Sequence, residues 1–332
     1  MTRPFLHFVR LGLGAALVLV LSGAAFAQAQ QPWRHGILAA KDDSGFLFMA
    51  ANRGFAEREG IKLELLQVKD DQVGLKALLA GELESYEGGV QGAIVAAARG
   101  ADVKIIGCHW LVVPHGIFVR AGINSIEDLR GKNIAVSAPG TFPEMLARAT
   151  LAKYNIPADA VKFASVGSDR DRFAALAGGV VDAAVVSNEV QPMAEAKGIR
   201  LLVAGAEAVP QFVRICQFST SKVLSERRDD AVRYLTAEMK ALHYALSHRD
   251  DTIALTREIT GEKPDDPRPA FVYDNAVKTN AIDPTLPIPM ERLAWMQDQL
   301  VEAGKLPRAG DLSKAVDPSI RAVALAAIER GH

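Results

Sequence analysis

The sequence predicts an α/β protein of two lobes whose last third is helical. Predicted strands and helices alternate over residues 35–107, and the alternation resumes over residues 134–203. No such alternation follows residue 220. Alternating strands and helices are typical of mostly parallel sheets that are covered by helices on both faces. The length of 332 residues is that of about two domains.

The first alternating half follows from hydrophobic spacing. Apolar residues recur at helical intervals from Phe46 onward, whereas Ile61, Leu63 and Leu65 alternate with polar residues as in a strand. A glycine follows each of the first two predicted helices, as is common at helix C-termini. The predicted elements are strands at residues 35–40, 61–68 and 103–107 and helices at residues 46–59, 72–80 and 90–98.

The second half repeats the same unit. Ala-Leu-Leu-Ala-Gly-Glu-Leu-Glu at residues 77–84 matches Ala-Leu-Ala-Gly-Gly-Val-Val-Asp at residues 175–182. Each segment is a helix end, a glycine cap and an acid before the next strand, which indicates that both halves use one β/α unit. The predicted elements are strands at residues 134–136, 161–165, 183–186 and 199–203 and helices at residues 143–154 and 169–177.

Two extended apolar segments, residues 109–120 and 212–218, are interpreted as crossovers between the lobes. Helices are predicted after the second crossover, and we expect them to pack on the first lobe and make it discontinuous. The predicted division is a signal peptide at residues 1–29, lobe 1 at residues 30–114 plus 216–332, and lobe 2 at residues 115–215.

The N-terminus has the pattern of a secretory signal peptide. Arg3 and Arg10 form a positively charged n-region before an apolar core at residues 11–21, and small residues at the Ala-Phe-Ala or Ala-Gln-Ala sites before residue 30 permit cleavage. The mature protein is therefore expected to be exported to the periplasm. The formal net charge of -1 argues against a nucleic-acid binder, because such proteins usually carry a basic excess.

The two cysteines, Cys108 and Cys216, are far apart in sequence. An oxidising compartment permits a disulfide. We slightly favour two separately buried thiols, because the sequence does not show that the two residues meet.

Four strand-end loops are rich in glycine and polar residues, and two come from each half. They lie at residues 42–45, 88–91, 137–141 and 187–189. Ligands of such α/β proteins bind beyond the carboxyl ends of strands. The third loop precedes a predicted helix, whose free N–H groups favour an anion, with hydroxyls from Ser137 and Thr141. The loops predict a shared cleft between the lobes.

The order of these motifs resembles the periplasmic solute-binding proteins of ABC importers, in the nitrate, sulfonate, taurine and thiamine-precursor class. The resemblance is carried by the segment at residues 77–84, the pair Gly88-Gly89, Leu-Arg-Gly-Lys-Asn-Ile-Ala-Val at residues 129–136 and the Pro-Gly-Thr turn that ends at Thr141. It implies the two-lobed type II periplasmic binding protein fold. It also implies a small-molecule solute, a permease and an ATPase in the inner membrane, a monomer, and neither cofactor nor metal.

The resemblance further implies which positions line the cleft. These positions are Asp43, Ser44, Gly89, Gln91, Ser137, Gly140 and Thr141, with the more divergent Asn188 and Glu189.

The residues of these loops are compatible with two classes of ligand. A sulfonate or nitrate requires hydrogen-bond donors, and the loop at Ser137 offers backbone N–H groups and hydroxyls. Arg120 or Arg214 is a candidate for an additional guanidinium donor, and the alternative is that both arginines face solvent. Asp42, Asp43 and Glu189 instead suit an amine, an aminopyrimidine or a zwitterion. We rank a small organic anion or zwitterion first, and a neutral aminopyrimidine as the alternative.

The alternative to a binding protein is an enzyme of the thiamine-pyrimidine-synthase-like fold. Cys108 and His109 are the only Cys–His neighbours, and adjacent residues on a strand point to opposite faces. No metalloprotease helix, nucleophile elbow or phosphate-binding loop is present. We therefore expect a binding protein without catalytic residues.

Overall fold

The computed structural model describes Met1, residues 31–139 and residues 141–330. The predicted signal peptide at residues 1–29 and the predicted site residue Gly140 therefore lie outside the described residues. Within those described ranges, no helix combines the length and the apolar composition that a membrane crossing requires.

Two five-stranded sheets organise the described part of the chain. The strands are β1 (Trp33–Leu38), β2 (Leu63–Val68), β3 (Ser85–Gly88), β4 (Lys104–Trp110), β5 (His115–Val119), β6 (Asn133–Val136), β7 (Lys162–Ser165), β8 (Ala183–Ser187), β9 (Arg200–Ala204) and β10 (Ile215–Ser219). The first sheet has the order β2-β1-β3-β10-β4 and the second the order β7-β6-β8-β5-β9. We denote the first sheet with its helices lobe 1 and the second sheet with its helices lobe 2.

Each sheet is parallel except around one strand that follows a crossover. β10 runs antiparallel to β3 and β4 in lobe 1, and β5 runs antiparallel to β8 and β9 in lobe 2. The other pairs are parallel. The loops after β1 and β3 therefore leave one edge of the first sheet together, as do the loops after β6 and β8 in the second.

Helices cover both sheets, and the last third of the chain is helical as predicted. The helices are α1 (Ser44–Leu47), α2 (Met49–Asn52), α3 (Phe55–Arg58), α4 (Asp71–Ala80), α5 (Val90–Ala98), α6 (Phe142–Lys153), α7 (Asp169–Ala177), α8 (Gln191–Ala194), α9 (Gly205–Ala208), α10 (Ser221–Glu226), α11 (Arg228–Ser247), α12 (Arg249–Thr260), α13 (Arg268–Lys278), α14 (Met290–Glu302) and α15 (Ser319–Arg330). In lobe 1, α11 packs on α2 and α3, α12 on α1, and α14 on α5. This arrangement confirms the prediction that the helical last third packs on the first lobe.

The structure corrects two helix predictions. The helix expected at residues 46–59 is three short helices, and Gly54, which adopts the left-handed conformation with φ 72°, separates α2 from α3. Helix α13 was not predicted, since Pro264 and Pro267 suggested a loop. Pro269 instead lies in the first turn of α13, where its missing N–H has no cost.

Aromatic side chains join the C-terminal helices to the first sheet. Trp33 of β1 stacks on Tyr234 of α11 with ring centroids 5.3 Å apart. Phe46 of α1 stacks on Tyr273 of α13 at 5.3 Å and meets Trp110 of β4 edge to face at 5.8 Å. Such pairs add about 1 kcal/mol each beyond the burial of their area, so α13 and the end of β4 are held in one cluster.

The cysteine prediction was wrong. Cys108 of β4 and Cys216 of β10 form a disulfide, and their Cα atoms are 3.9 Å apart. The sequence separation of 108 residues did not reveal this contact. The second crossover returns the chain antiparallel to β4, which places the two cysteines opposite each other.

Replacing Gly45 with alanine should destabilise lobe 1. A Cβ atom at Gly45 would lie 2.0 Å from the Thr252 carbonyl oxygen of α12, and the Gly45 N–H donates to Thr256 Oγ1 at 2.9 Å. Relieving this overlap should cost about 1–3 kcal/mol of unfolding free energy, measured by urea denaturation. Gly92→Ala in α5 is the matched control, because its nearest neighbour would be 3.5 Å away. Equal midpoints for the two variants would contradict the prediction.

Candidate functional site

A small pocket lies between the strand-end loops of the two lobes. Its cavity volume is about 20 Å³, roughly the space of one water molecule. Lobe 1 contributes the start of α1, the end of β4 and one face of α13, and lobe 2 contributes the loop after β8. The lining residues are Asp43, Trp110, Pro114, Ser187, Asn188, Glu189, Arg214, Phe271, Val272 and Asn275. The structure therefore brings Asp43, Asn188 and Glu189 of the predicted set together.

Three buried polar atoms of the pocket residues have no hydrogen-bond partner among the described residues. They are the donors Trp110 Nε1 and Arg214 Nη1 and the acceptor Asn188 Oδ1. Trp110 is 2% and Asn188 8% exposed. Buried polar groups are nearly always paired in folded proteins. Both sides of the pocket therefore include residues with an unpaired polar group.

Arg214 connects the second crossover to the first strand-end loop. Its guanidinium forms an ion pair with Asp43, and the guanidinium carbon lies 4.2 Å from the centroid of the Trp110 ring. Burial acts to raise the pKa of Asp43, but the positive charges of Arg214 and Lys41 hold that pKa below its usual value. Asp43 is therefore an ionised carboxylate at neutral pH, and one guanidinium nitrogen of Arg214 stays available.

Asp42 is buried like its neighbour and is 3% exposed. Burial and the nearby Glu189 carboxylate raise the pKa of Asp42 to about 7, against the opposing charge of Arg268 at 3.6 Å. A hydrogen bond with Glu262 adds to the increase. This bond needs a shared proton, because Asp42 Oδ1 and Glu262 Oε2 have no donor among the described residues.

Glu189 extends from lobe 2 toward these acids. Burial raises its pKa, and the Asp43 and Asp169 carboxylates add to the increase, while Lys41 and His115 oppose it. Lys41 and Asp43 belong to lobe 1, whereas Asp169 and His115 belong to lobe 2. The carboxyl group of Glu189 is thus influenced by charged residues of both lobes. The nearby positive charges do not offset the cost of burying its negative charge.

A second charged network supports the loops of lobe 2. Arg172 of α7 is 1% exposed and donates to Ser137 Oγ, Val185 O and Asp169 Oδ1, each at 2.6 Å. Burial acts to raise the pKa of Asp169, but His115 at 3.5 Å and Arg172 keep that pKa well below its usual value. The predicted hydroxyl of Ser137 is therefore used to fasten the loop after β6.

The other predicted site residues make contacts within their own lobes. Ser44 Oγ accepts from the Lys41 N–H at 2.9 Å, and the Gly89 N–H donates to Asp71 Oδ1 at 2.9 Å. Thr141 Oγ1 donates to Ala138 O at 2.6 Å. Gln91 is half-buried on α5. Among the described residues these four and Ser137 are absent from the pocket lining, so their role in binding remains a prediction.

Several pocket residues were not singled out from the sequence. Trp110 is the last residue of β4, directly before a crossover. A residue at the carboxyl end of a strand is a candidate for ligand contact, so the sequence could have indicated Trp110. Phe271 and Asn275 lie on α13, which was not predicted. Arg120, the other candidate guanidinium, donates to Gly179 O at an exposed position. Among the described residues, no group of three acids, histidines or cysteines is arranged to hold a metal ion.

A protein-family model described as NMT1/THI5 like matches residues 42–252. This range includes both crossovers and most of the pocket residues. No curated protein sequence matches the chain.

Solved structures with the same fold include two sulfonate-binding proteins. The periplasmic aliphatic sulphonate binding protein SsuA of Escherichia coli is 19% identical, with a TM-score of 0.71 over 86% of this chain and 92% of that one. The alkanesulfonate-binding protein SsuA of Xanthomonas axonopodis pv. citri, bound to MOPS, is 20% identical, with a TM-score of 0.68 over 87% and 99%. These likenesses confirm the predicted two-lobed periplasmic binding protein fold.

The same fold also carries an enzyme. The desulfurization enzyme DszB is 18% identical, with a TM-score of 0.68 over 89% of this chain and 99% of that one. The fold therefore does not by itself distinguish binding from catalysis.

Proposed function

Because the chain belongs to the NMT1/THI5-like family, we propose that it is the extracytoplasmic solute-binding component of an ABC importer. It captures a small organic anion or zwitterion between its lobes in the periplasm. It then delivers the solute, as a monomer, to a permease and ATPase in the inner membrane. The proposed lobes are residues 30–114 plus 216–332 and residues 115–215.

The unpaired polar atoms of the pocket carry this proposal. Trp110 Nε1 and Arg214 Nη1 are suited to the oxygens of a sulfonate or carboxylate, since charge-assisted hydrogen bonds from guanidinium groups are strong. Asn188 Oδ1 accepts from a ligand N–H on the opposite wall. A solute that fills both sets of hydrogen bonds would remove the cost of leaving these groups buried and unpaired.

The charges around Glu189 favour a zwitterion over a simple anion. Burial and two neighbouring carboxylates raise the Glu189 pKa, so an ammonium group beside it would supply the missing positive charge. A solute such as taurine combines this ammonium with a sulfonate for Arg214. Nitrate satisfies only the donors.

Closure of the two lobes over the solute is the proposed working motion. Lys41 of lobe 1 lies near Asp169 and Glu189 of lobe 2, so opening the lobes separates opposite charges. A solute that binds both walls adds free energy to the closed form alone and shifts the population toward it.

A melting-shift screen of the mature protein tests the proposal. Taurine, ethanesulfonate, nitrate and an aminopyrimidine are compared at equal concentration, and a bound solute raises the melting temperature. We expect the largest shift with taurine and a smaller one with ethanesulfonate. Arg214→Lys should reduce both shifts, because it keeps a charge for Asp43 but loses the guanidinium fork. Turnover of a substrate without any melting shift would refute the binding function.

A neutral aminopyrimidine is the second candidate, and the raised pKa of Glu189 favours it. A protonated carboxyl group both donates and accepts, which matches the ring nitrogen and amino group of an aminopyrimidine. A melting shift with the aminopyrimidine but not with taurine would select this alternative.

Replacing Glu189 with glutamine should change selectivity more than stability. The variant keeps the shape of the side chain but removes the negative charge beside the proposed ammonium. We expect taurine to bind about tenfold more weakly, a loss of about 1.4 kcal/mol, with ethanesulfonate unchanged or tighter. Calorimetric titrations of both solutes measure this difference. Glu195→Gln, on the outer surface of lobe 2, is the control and should leave both affinities unaltered. Equal losses for the two solutes would disprove a specific contact with the ammonium.

A further inference from the structure

The disulfide between Cys108 and Cys216 joins the two strands that lead to the unpaired donors of the pocket. β4 carries Cys108 and ends at Trp110, where the chain leaves lobe 1. The chain returns through Arg214 into β10, which carries Cys216. The two cysteines are opposite each other in the antiparallel register, and both are 0% exposed.

The strand contact next to this disulfide belongs to the site. The Arg214 N–H donates to the Trp110 carbonyl oxygen at 3.0 Å. The side chains of the same two residues are in contact, with the guanidinium carbon 4.2 Å from the indole centroid. A change in strand register at Cys108 and Cys216 would therefore move both donors relative to each other.

The pairing of β10 with β4 is irregular at the disulfide. The pairing of β10 with β4 has two register shifts, between Ile215 and Cys216 and between Gln217 and Phe218. β4 is the last strand of its sheet, and the Cys108 N–H on its outer edge donates to Pro287 O at 2.9 Å. A bulge leaves residues without ladder hydrogen bonds and changes the local twist, so the covalent bond adds a fixed point to the alignment of the two strands there.

We propose that the Cys108–Cys216 disulfide is a positioning element of the solute site, so that solute affinity depends on its oxidation. The inference rests on the proposed function and adds that solute binding requires the oxidised form. The bond forms when the two thiols lose two electrons and two protons to a disulfide oxidant, such as oxidised glutathione, by thiol–disulfide exchange. The binding site is then complete only in an oxidising compartment, which keeps the protein from capturing solute before export.

Titrations of oxidised and reduced protein with taurine test the inference. We expect reduction by a phosphine, or the double variant Cys108→Ala/Cys216→Ala, to weaken binding at least tenfold while the far-ultraviolet circular dichroism at 10 °C stays unchanged. The oxidation effect should disappear in Arg214→Lys, because the disulfide acts through that side chain. A lower melting temperature with unaltered affinity would overturn the inference, as would loss of the folded spectrum in both disulfide-free forms.

Amide hydrogen exchange gives a readout that needs no solute. Reduction should speed exchange in peptides that cover residues 104–116 and 212–219, with peptides from the β6 to β8 region of lobe 2 as the internal control. If taurine binds neither form, the proposed function fails for that solute, and the exchange data still decide the inference. Unchanged exchange in the two crossover peptides would overturn it.

Discussion

Arg214→Met should lower the free energy of unfolding by about 3–5 kcal/mol at pH 7, because it leaves a buried carboxylate unpaired. Asp43 is 4% exposed and ion-paired with Arg214. Methionine preserves part of the contact with the Trp110 ring but supplies no charge. The same change removes the guanidinium from the pocket, so the variant should also lose its melting shift with taurine. Urea denaturation measures the stability loss.

The pH dependence of this loss has a defined sign. Although burial alone would raise it, the folded-state pKa of Asp43 is depressed by Arg214. The stabilisation is therefore present above the ordinary pKa of 3.8 and is lost as the pH falls through the folded value. Without Arg214, burial is left to raise the pKa of Asp43, so the carboxyl group of Arg214→Met takes up a proton at a higher pH than that of wild type, and the difference between the two proteins should already shrink at pH 4.

The double variant Asp43→Asn/Arg214→Met provides the control. It removes both charges, so it should recover most of the stability that the single variant loses. If the double variant is as unstable as Arg214→Met, the loss reflects packing of the arginine on Trp110 and the buried-charge explanation is wrong.

Asp42→Asn should stabilise the protein at pH 8 by up to about 4 kcal/mol, since each unit of pKa shift corresponds to about 1.4 kcal/mol. Burial and Glu189 raise the pKa of Asp42 to about 7 from 3.8. A raised folded-state pKa gives stability that is complete below the unfolded value and is lost as the pH rises through the folded one. Wild type should therefore lose stability between pH 4 and pH 8, and the variant should lose much less.

Unfolding free energies at four pH values across this range measure the effect. Asp298→Asn, at an exposed position on α14, is the matched control and should follow the wild-type curve. If the unfolding free energies of Asp42→Asn and wild type change equally with pH, the ionisation of Asp42 does not destabilise the folded protein and the prediction is wrong.

The fold was largely predictable because its signals are local. Hydrophobic periods and glycine caps indicate strands and helices one at a time, as for α4, which ends before Gly81. The disulfide was not predictable, because Cys108 and Cys216 meet only through the antiparallel return of β10. The order of strands in a sheet is set by packing of distant segments, and the periodicity of one segment carries no information about it.

The position of the candidate pocket was predictable from the sequence, but most of the side chains that line it were not. The rule that ligands bind beyond strand ends located the loops of Asp43 and Glu189. It did not indicate that Ser137 and Thr141 have hydrogen-bond partners inside lobe 2. The rule could have drawn attention to Trp110 as a strand-end residue, but only the structure shows that its indole N–H is buried without a partner among the described residues.

The central position of β10 also determines when lobe 1 can be completed during synthesis. β10 connects β3 to β4, yet it is made only after the strands of the second sheet, which end at Ala204. Until β10 arrives, β4 has no strand neighbour in the order of its sheet. Contacts between segments so distant in sequence form slowly. We expect the nascent chain to stay incompletely folded until most of it has left the ribosome, which is compatible with the export proposed above.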